Sequence, residues 1–213
     1  KKIQILKVRA GFTSVGIKAR RDLRNIVATY DVDIPQDILD YMGTSTNYIF
    51  ISRDSERNVY VIFNKKSPYD ANEILAGEFC WIMKIDKDMN ATAYKFTNNV
   101  GKPLTLNNKY ITFDGDYLWL LTPERPFCLY GIKYSDSTQI IETGVKHEGN
   151  IFTLYTIGKN LIGIYSDYGC PTVYDVVNRT HRQTNGSLRD AGNNVLIPFA
   201  DKKGVYLQVY LVT

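Results

Sequence analysis

The feature that most constrains this fold is a regular spacing of short β-type runs separated by polar turns. Five runs are each followed by a polar turn and a second run, and the second runs start near Val15, Val59, Tyr117, Leu161 and Val205. The steps between these starts are 44, 58, 44 and 44 residues. Self-similarity at a period of about 20–50 residues is typical of repeat architectures. The spacing therefore predicts consecutive copies of one structural unit.

Each unit is predicted to contain four antiparallel strands. The first runs lie at 3–8, 48–51, 110–113, 151–155 and 195–199. Third runs lie at 25–30, 79–85, 127–134 and 172–177, and more polar fourth runs at 37–42, 91–96, 138–143 and 181–184. Residues of high strand propensity are abundant, and 13% of the chain is aromatic. Composition therefore agrees with an all-β chain.

Four strands per unit at this period are typical of a β-propeller blade. We predict a single domain over 1–213, with about five blades at 1–43, 44–103, 104–145, 146–189 and a partial 190–213. The long step indicates insertions at 64–78 and 97–108 of the second blade. A β-sandwich or jelly roll is the alternative, although neither predicts the 44-residue period.

The last unit has only two runs before Thr213. Three explanations are open: the chain is a piece of a longer propeller, a partner strand completes the unit along 205–212, or the run at 3–8 closes the ring. An unpaired strand edge recruits another strand, so the second explanation predicts a protein partner.

Charge and motifs exclude several functions. The formal net charge of +4 is too mild for a typical nucleic-acid binder, and no apolar run reaches the roughly 18 residues of a membrane span. The three cysteines form no CxxC motif, and residues 86–90 resemble a calcium loop without its glycine and glutamate. We expect no metal, no cofactor and no disulfide framework.

In a propeller, the loops from second to third strands and the loops between blades emerge on one face. Loops at 20–24, 64–78, 122–126 and 166–171 carry basic and aromatic residues that suit sugars or anions. The candidate ligand-binding residues are Arg20, Arg21, Tyr69, Arg125 and Tyr168. Trp81 and Trp119 lie inside predicted strands and are expected in the core.

A glycosidase needs two carboxylates roughly 5–9.5 Å apart beside the sugar. The five first runs carry no acid, and Asp54, Asp114, Asp116 and Asp201 lie in the turns that follow them. Those turns are expected on the opposite face. The sequence therefore favours a non-catalytic protein, with a hydrolase or lyase as an alternative and a protein-interaction scaffold as another.

The runs YLWLL at 117–121, FCLYGIKY at 127–134 and VYLQVY at 205–210 resemble non-catalytic propeller blades. The overall composition is similar to proteins of AT-rich bacteria and their phages, and five-bladed propellers serve as platforms in some phage receptor-binding proteins. The resemblance implies a soluble recognition module, on a virion or cell surface, that binds a glycan or a protein.

Overall fold

The computed structural model describes residues 1–8, 26–43, 48–54, 56, 58–65, 72–107, 109–156, 160–166, 172–183, 195–201 and 204–210. Within these residues the secondary structure is strands and a single short helix, so the chain is all-β as predicted. The strands form several small antiparallel sheets, and the described part contains no closed barrel or complete ring of sheets.

The N-terminal part is a two-stranded sheet followed by a helix. Strand β1 (Lys2–Val8) pairs directly with β2 (Ile26–Asp33), and helix α1 (Gln36–Met42) follows. The prediction of a four-stranded first blade over 1–43 is wrong here in two respects. The first and third predicted runs are direct neighbours, and the fourth predicted run is helical.

The helix at this position has local causes. Pro35 is the N-cap residue, and its carbonyl accepts the N–H groups of Ile38 and Leu39 at 3.1 and 3.2 Å. Asp37 lies in the first turn, where the helix dipole favours a negative charge, and Ile38 is fully buried. Gly43 ends the helix at φ +52°, with its N–H bonded to the carbonyl of Leu39. These end signals override the β-like content of the segment.

Three four-stranded sheets follow, and each is a simple up-and-down meander. Sheet I contains β3 (Tyr48–Arg53), β4 (Val59–Asn64), β6 (Phe79–Ile85) and β7 (Ala91–Thr97) in that order. Sheet II contains β9 (Ile111–Asp114), β10 (Tyr117–Leu121), β11 (Phe127–Lys133) and β12 (Ile140–His147). Sheet III contains β13 (Ile151–Thr156), β14 (Leu161–Ser166), β15 (Thr172–Asp175) and β16 (Thr180–Gln183).

Smaller elements complete the described part. The two predicted insertions of the second unit meet, because β5 (Glu73–Ile74) pairs with β8 (Leu104–Thr105). Near the C-terminus, β17 (Val195–Asp201) and β18 (Gly204–Tyr210) form an antiparallel hairpin in which Asp201 opposes Gly204. The first and second runs of the fifth unit therefore pair as the turn pattern predicts.

Sheets I, II and III pack face to face in chain order. The core between sheets I and II, called core A, contains Tyr60, Ile82, Phe113 and Leu118 among its buried residues. The core between sheets II and III, called core B, is centred on Trp119. A third cluster joins β2, α1 and sheet I. Because sheet II is covered on both faces, residues 118–121 of β10 are all buried, which explains their unbroken apolar run.

The first strands of consecutive sheets are neighbours. Strand β9 contacts both β3 and β13. The hydroxyls of Thr112 and Thr156 are 2.9 Å apart, and the Thr156 hydroxyl also donates to the carbonyl of Phe113 at 3.1 Å. The three sheets therefore converge along their first strands.

Candidate functional site

The connections at one end of the sheets meet in a groove. It has a volume of about 330 Å³ and lies where β5, the connection from β7 to β9 and the connection from β10 to β11 approach one another. We call this end the loop face and this cavity the loop-face groove. Its lining residues are Glu73, Lys102, Pro103, Thr122, Pro123, Glu124, Pro126 and Cys128.

Asn98 holds two walls of the loop-face groove together. Its buried side-chain amide donates to the carbonyl oxygens of Ile74 and Lys102, both at 2.8 Å. Its backbone N–H donates to the Glu78 carbonyl at 2.9 Å. Each bond satisfies a backbone group that would otherwise be costly to bury. The segments around Ile74 and Lys102 are therefore fixed relative to sheet I.

Thr122 fixes the turn from β10 to β11, which forms the third side of the loop-face groove. Its hydroxyl accepts the N–H of Cys128 at 2.9 Å, and its own N–H donates to the Cys128 carbonyl at 3.1 Å. Both bonds close the turn from β10 to β11. Glu124 and Pro126 are presented at the surface by a turn that is tied down at its base.

Arg125 is the one predicted binding residue that lies in the described part of the chain. It is exposed on the turn between Glu124 and Pro126, and its guanidinium donates to the side-chain oxygen of Asn150. Asn150 belongs to the connection between sheets II and III. The structure therefore places Arg125 on the loop face, between the loop-face groove and the next connection.

The other four predicted binding residues lie outside the described residues. They are Arg20, Arg21, Tyr69 and Tyr168.

A second groove lies beside the helix. It has a volume of about 530 Å³, and we call it the helix-side groove. The end of α1, the end of β4 and the start of β6 form it, which places it on the loop face as well. Its lining residues are Asp40, Tyr41, Asn64, Lys65, Glu78 and Phe79.

Two aromatic rings line the helix-side groove. Phe79 is 39% exposed, and its ring centroid is 5.5 Å from that of Tyr41. The Lys95 ammonium lies 4.2 Å from the Phe79 centroid. The exposed ring is therefore flanked by a second aromatic ring and by a positive charge.

The Tyr41 hydroxyl is held in place by backbone groups. It accepts the N–H of Lys65 at 2.8 Å and donates to the Phe79 carbonyl at 3.5 Å. Partial burial of the ring raises the pKa of Tyr41, so the phenol stays protonated at neutral pH. The groove therefore presents a fixed ring, with carboxylates from Asp40 and Glu78 and an ammonium from Lys65.

The opposite end of the sheets, called the turn face, is built from aspartate-capped turns. The Asp86 carboxylate accepts the N–H groups of Asp88 and Asn90 at 2.8 and 2.9 Å, and a second oxygen accepts the Asn90 side chain at 3.1 Å. The segment that resembles a calcium loop is thus a turn whose carboxylate stabilises its own backbone. Among the described residues, no group of three or more His, Cys, Asp or Glu side chains could hold a metal ion.

One of the turn-face acids differs from its predicted position. Asp114 is the last residue of β9 and therefore belongs to a first strand. Asp54 follows β3 as predicted and is buried there. Asp54 accepts the N–H of Asn58 at 3.0 Å and the Tyr60 hydroxyl at 2.9 Å.

Sequence reasoning missed Tyr41, Phe79, Asn98 and Thr122. The run pattern predicts Tyr41 in a fourth strand and Phe79 at the start of a third strand, and neither position indicates a groove. Asn98 and Thr122 lie in polar segments, where only the folded contacts distinguish them from ordinary loop residues.

No protein-family model matches the chain, and no curated protein matches it significantly. Within the described residues, no helix has both the length and the hydropathy needed to span a membrane.

Proposed function

We propose that this chain is a non-catalytic recognition module that binds a cell-surface glycan on its loop face. In this proposal the three meander sheets are blades of a β-propeller of about five blades. A place on a virion or a cell surface is part of the same proposal.

The sheet arrangement supports the propeller. Each of the three sheets runs from its first strand to its fourth in simple order, and β9 of the middle sheet contacts the first strand on either side. Cores A and B bury both faces of sheet II. A four-stranded sheet cannot bury two faces alone, and the blades of a propeller bury theirs against neighbouring blades in the same way, which supports the proposal.

The composition of the helix-side groove carries the glycan proposal. A sugar ring presents an apolar face and a rim of hydroxyls, so it needs an aromatic surface beside hydrogen-bonding groups. Phe79 and Tyr41 supply the rings, while Asp40, Glu78 and Lys65 supply acceptors and a donor. The groove is about 530 Å³, within the roughly 300–1,000 Å³ of small-molecule sites.

The first experiment is incubation with a panel of bacterial and host surface glycans, with bound glycan read directly and the supernatant scanned by mass spectrometry. Binding without cleavage is expected. Cleavage would contradict the non-catalytic proposal and support the hydrolase or lyase alternative. If no glycan binds, the glycan proposal is wrong.

Variants locate the site once a glycan binds. We expect Phe79→Ala to weaken binding by about 2- to 12-fold, because an aromatic contact contributes roughly 0.5–1.5 kcal/mol. Arg125→Ala and Tyr168→Ala test the sequence-based candidates by the same assay. Val177→Ala is the matched control, because Val177 is 68% exposed and lies on the turn face.

A second candidate function is that of a scaffold completed by a partner strand. Within the described residues β18 has β17 as its single neighbour, and an isolated two-stranded hairpin is marginally stable in water. An added strand along 205–212 would complete this sheet.

Hydrogen exchange tests the scaffold function. Alternate amides of an antiparallel strand point away from its partner, so alternate β18 amides should exchange fast in the isolated chain. Uniform protection of β18 would show that both edges are already paired within the chain, which contradicts a free edge.

A further inference from the structure

Lys95 on strand β7 brings a positive charge to the exposed ring of the helix-side groove. Its ammonium lies 4.2 Å from the ring centroid of Phe79, and Phe79 lines the groove. Lys95 itself does not belong to the lining, and the glycan proposal makes no use of it. The contact therefore adds a further cationic group beside the surface that a ligand would touch.

The strand register sets the position of Lys95. Strands β6 and β7 pair with Trp81 opposite Lys95, and Phe79 is two residues before Trp81 on β6. Opposed residues of an antiparallel pair, and residues two apart on one strand, project from the same face of a sheet. Phe79 and Lys95 are therefore diagonal neighbours on one face, a separation that a long side chain spans.

The contact also holds the ammonium in place. A cation over an aromatic ring is attracted by the negative charge of the ring face. An exposed lysine loses rotamer freedom when a ligand fixes its ammonium, and this loss weakens binding. Because Lys95 is exposed but already rests on Phe79, less of that freedom is left to lose.

A ligand on the exposed part of the Phe79 ring lies next to this ammonium. Phe79 is 39% exposed, and the ammonium is 4.2 Å from the centre of the same ring. A carboxylate on such a ligand accepts a charge-assisted hydrogen bond from a lysine, whereas a hydroxyl accepts a weaker neutral-acceptor bond. The contact therefore distinguishes an acidic sugar from a neutral one of the same shape.

The two carboxylates of the groove are hydrogen-bonded within their own segments. Oδ1 of Asp40 accepts the side-chain amide of Gln36 at 2.7 Å, and Oε2 of Glu78 accepts the N–H of Leu75 at 2.6 Å. These bonds hold one carboxylate to helix α1 and the other to the turn before β6. The Lys95 ammonium, in contrast, is in contact with the ring that a sugar would touch.

We propose that Lys95 is a specificity-determining residue of the helix-side groove, and that the groove prefers a glycan with a sugar carboxylate to its neutral counterpart. This inference rests on the proposed glycan function. The sugar packs against Phe79, and its carboxylate accepts from the Lys95 ammonium. Because both charges are exposed to solvent, the preference decreases as the salt concentration rises.

Carboxyl reduction supplies the matched ligand. Each uronic-acid or sialic-acid glycan of the panel is compared with its derivative in which a CH₂OH group replaces the carboxylate, so the charge changes while the sugar ring stays. Titration calorimetry gives the two dissociation constants for the unaltered chain and for Lys95→Met, which removes the charge and keeps the length of the side chain. We expect the unaltered chain to prefer the acidic form, and Lys95→Met to lower that preference about threefold, within the range of exposed charge pairs.

Two further variants separate charge from structure. Lys95→Arg keeps the cation and should keep the preference. Lys87→Met is the matched control, because Lys87 is exposed on the turn face, and it should leave the preference unchanged. A purely structural role of Lys95 would weaken binding of the acidic and the reduced glycan equally, and their ratio would not move.

An unchanged ratio in Lys95→Met would overturn the role of Lys95, as would tighter binding of the reduced glycans by the unaltered chain. Either result would leave the glycan function in place, because a glycan still binds. Absence of any bound glycan would instead contradict the proposed function, and this inference with it.

Discussion

Cores A and B pack on opposite faces of sheet II, yet they differ in whether a buried polar atom has a hydrogen-bond partner. In core A the Tyr60 ring stacks on Phe113 at 3.8 Å, and its hydroxyl donates to Asp54 at 2.9 Å. In core B the indole N–H of Trp119 has no partner among the described residues. The polar atom of Tyr60 in core A is therefore satisfied, whereas that of Trp119 in core B has no partner among the described residues.

The difference follows from where each ring meets the turn face. Asp54 directly follows β3 and is buried beside Tyr60, where it accepts the hydroxyl. Asp114 and Asp116, which precede Trp119 in the hairpin of β9 and β10, line a cavity on the turn face instead. A buried hydroxyl whose acceptor lies in the same hairpin contributes to stability.

The largest expected effect is in core B. Replacing Trp119 with Ala should lower the free energy of unfolding by about 3–5 kcal/mol, because the change empties a fully buried site. Urea unfolding measures it. An unchanged midpoint would mean that Trp119 is not part of a core.

An intermediate effect separates the two cores. Tyr60→Phe should cost about 1–3 kcal/mol, because Asp54 is buried and loses a hydrogen-bond donor. Tyr174→Phe in core B is the matched control. Within the described residues the Tyr174 hydroxyl makes no hydrogen bond, so that change should stay within about 0.5 kcal/mol. Equal effects of the two changes would remove the distinction between the cores.

The smallest expected effect concerns turns shared by all three sheets. Hydrogen bonds from Asn90, Thr138 and Asn178 lower the pKa values of Asp86, Asp136 and Asp175 respectively. A lowered folded-state pKa stabilises the protein above the unfolded value of 3.8, and this contribution is lost as pH falls through the folded-state value.

Replacing all three aspartates with Asn should make the free energy of unfolding less dependent on pH below about pH 4. Each single change should have a similar small effect, since each sheet has one such turn. A steeper acid limb in the triple variant would contradict the sign, and an effect confined to one sheet would contradict the equivalence of the turns.

Several features of the fold were predictable because they depend on local pattern. The meander sheets follow from β-type runs and turns rich in Gly, Asp and Asn, and Trp119 was expected in the core from its place inside an apolar run. The insertions at 64–78 and 97–108 were located by the long step alone. Their pairing through β5 and β8 was not predictable, because two-residue strands have no periodicity.

The first unit shows where pattern fails. The content of 37–42 is compatible with a strand, but Pro35 and Gly43 make it a helix. Recognising Pro35 and Gly43 as end signals would have corrected the assignment. The same error hides the role of Tyr41. A ring on the last turn of helix α1 reaches the helix-side groove, whereas a ring in a fourth strand would not be expected there.

For the candidate site, the sequence could predict the face but not the residues that form it. Arg125 lies on the loop face as expected, since connections of the same type emerge at the same end of each sheet. The environment of Phe79 depends on Tyr41 and Lys95, which are far from it in the chain or on another strand. The helix-side groove forms where three segments that are distant in the chain meet, and residue types alone do not predict such contacts.

The strand class, the repeat spacing and the polar turns follow from the sequence, because they depend on side-chain alternation and on backbone preferences within a few residues. Which side chains meet between the sheets depends instead on how the sheets pack. Tyr60 and Trp119 are both aromatic residues in apolar second strands. The Tyr60 hydroxyl donates to Asp54, six residues earlier in the same hairpin, so that bond is local. The Trp119 indole packs against Gly131 of the next strand and Tyr174 of sheet III, contacts that depend on how the strands pair and the sheets stack.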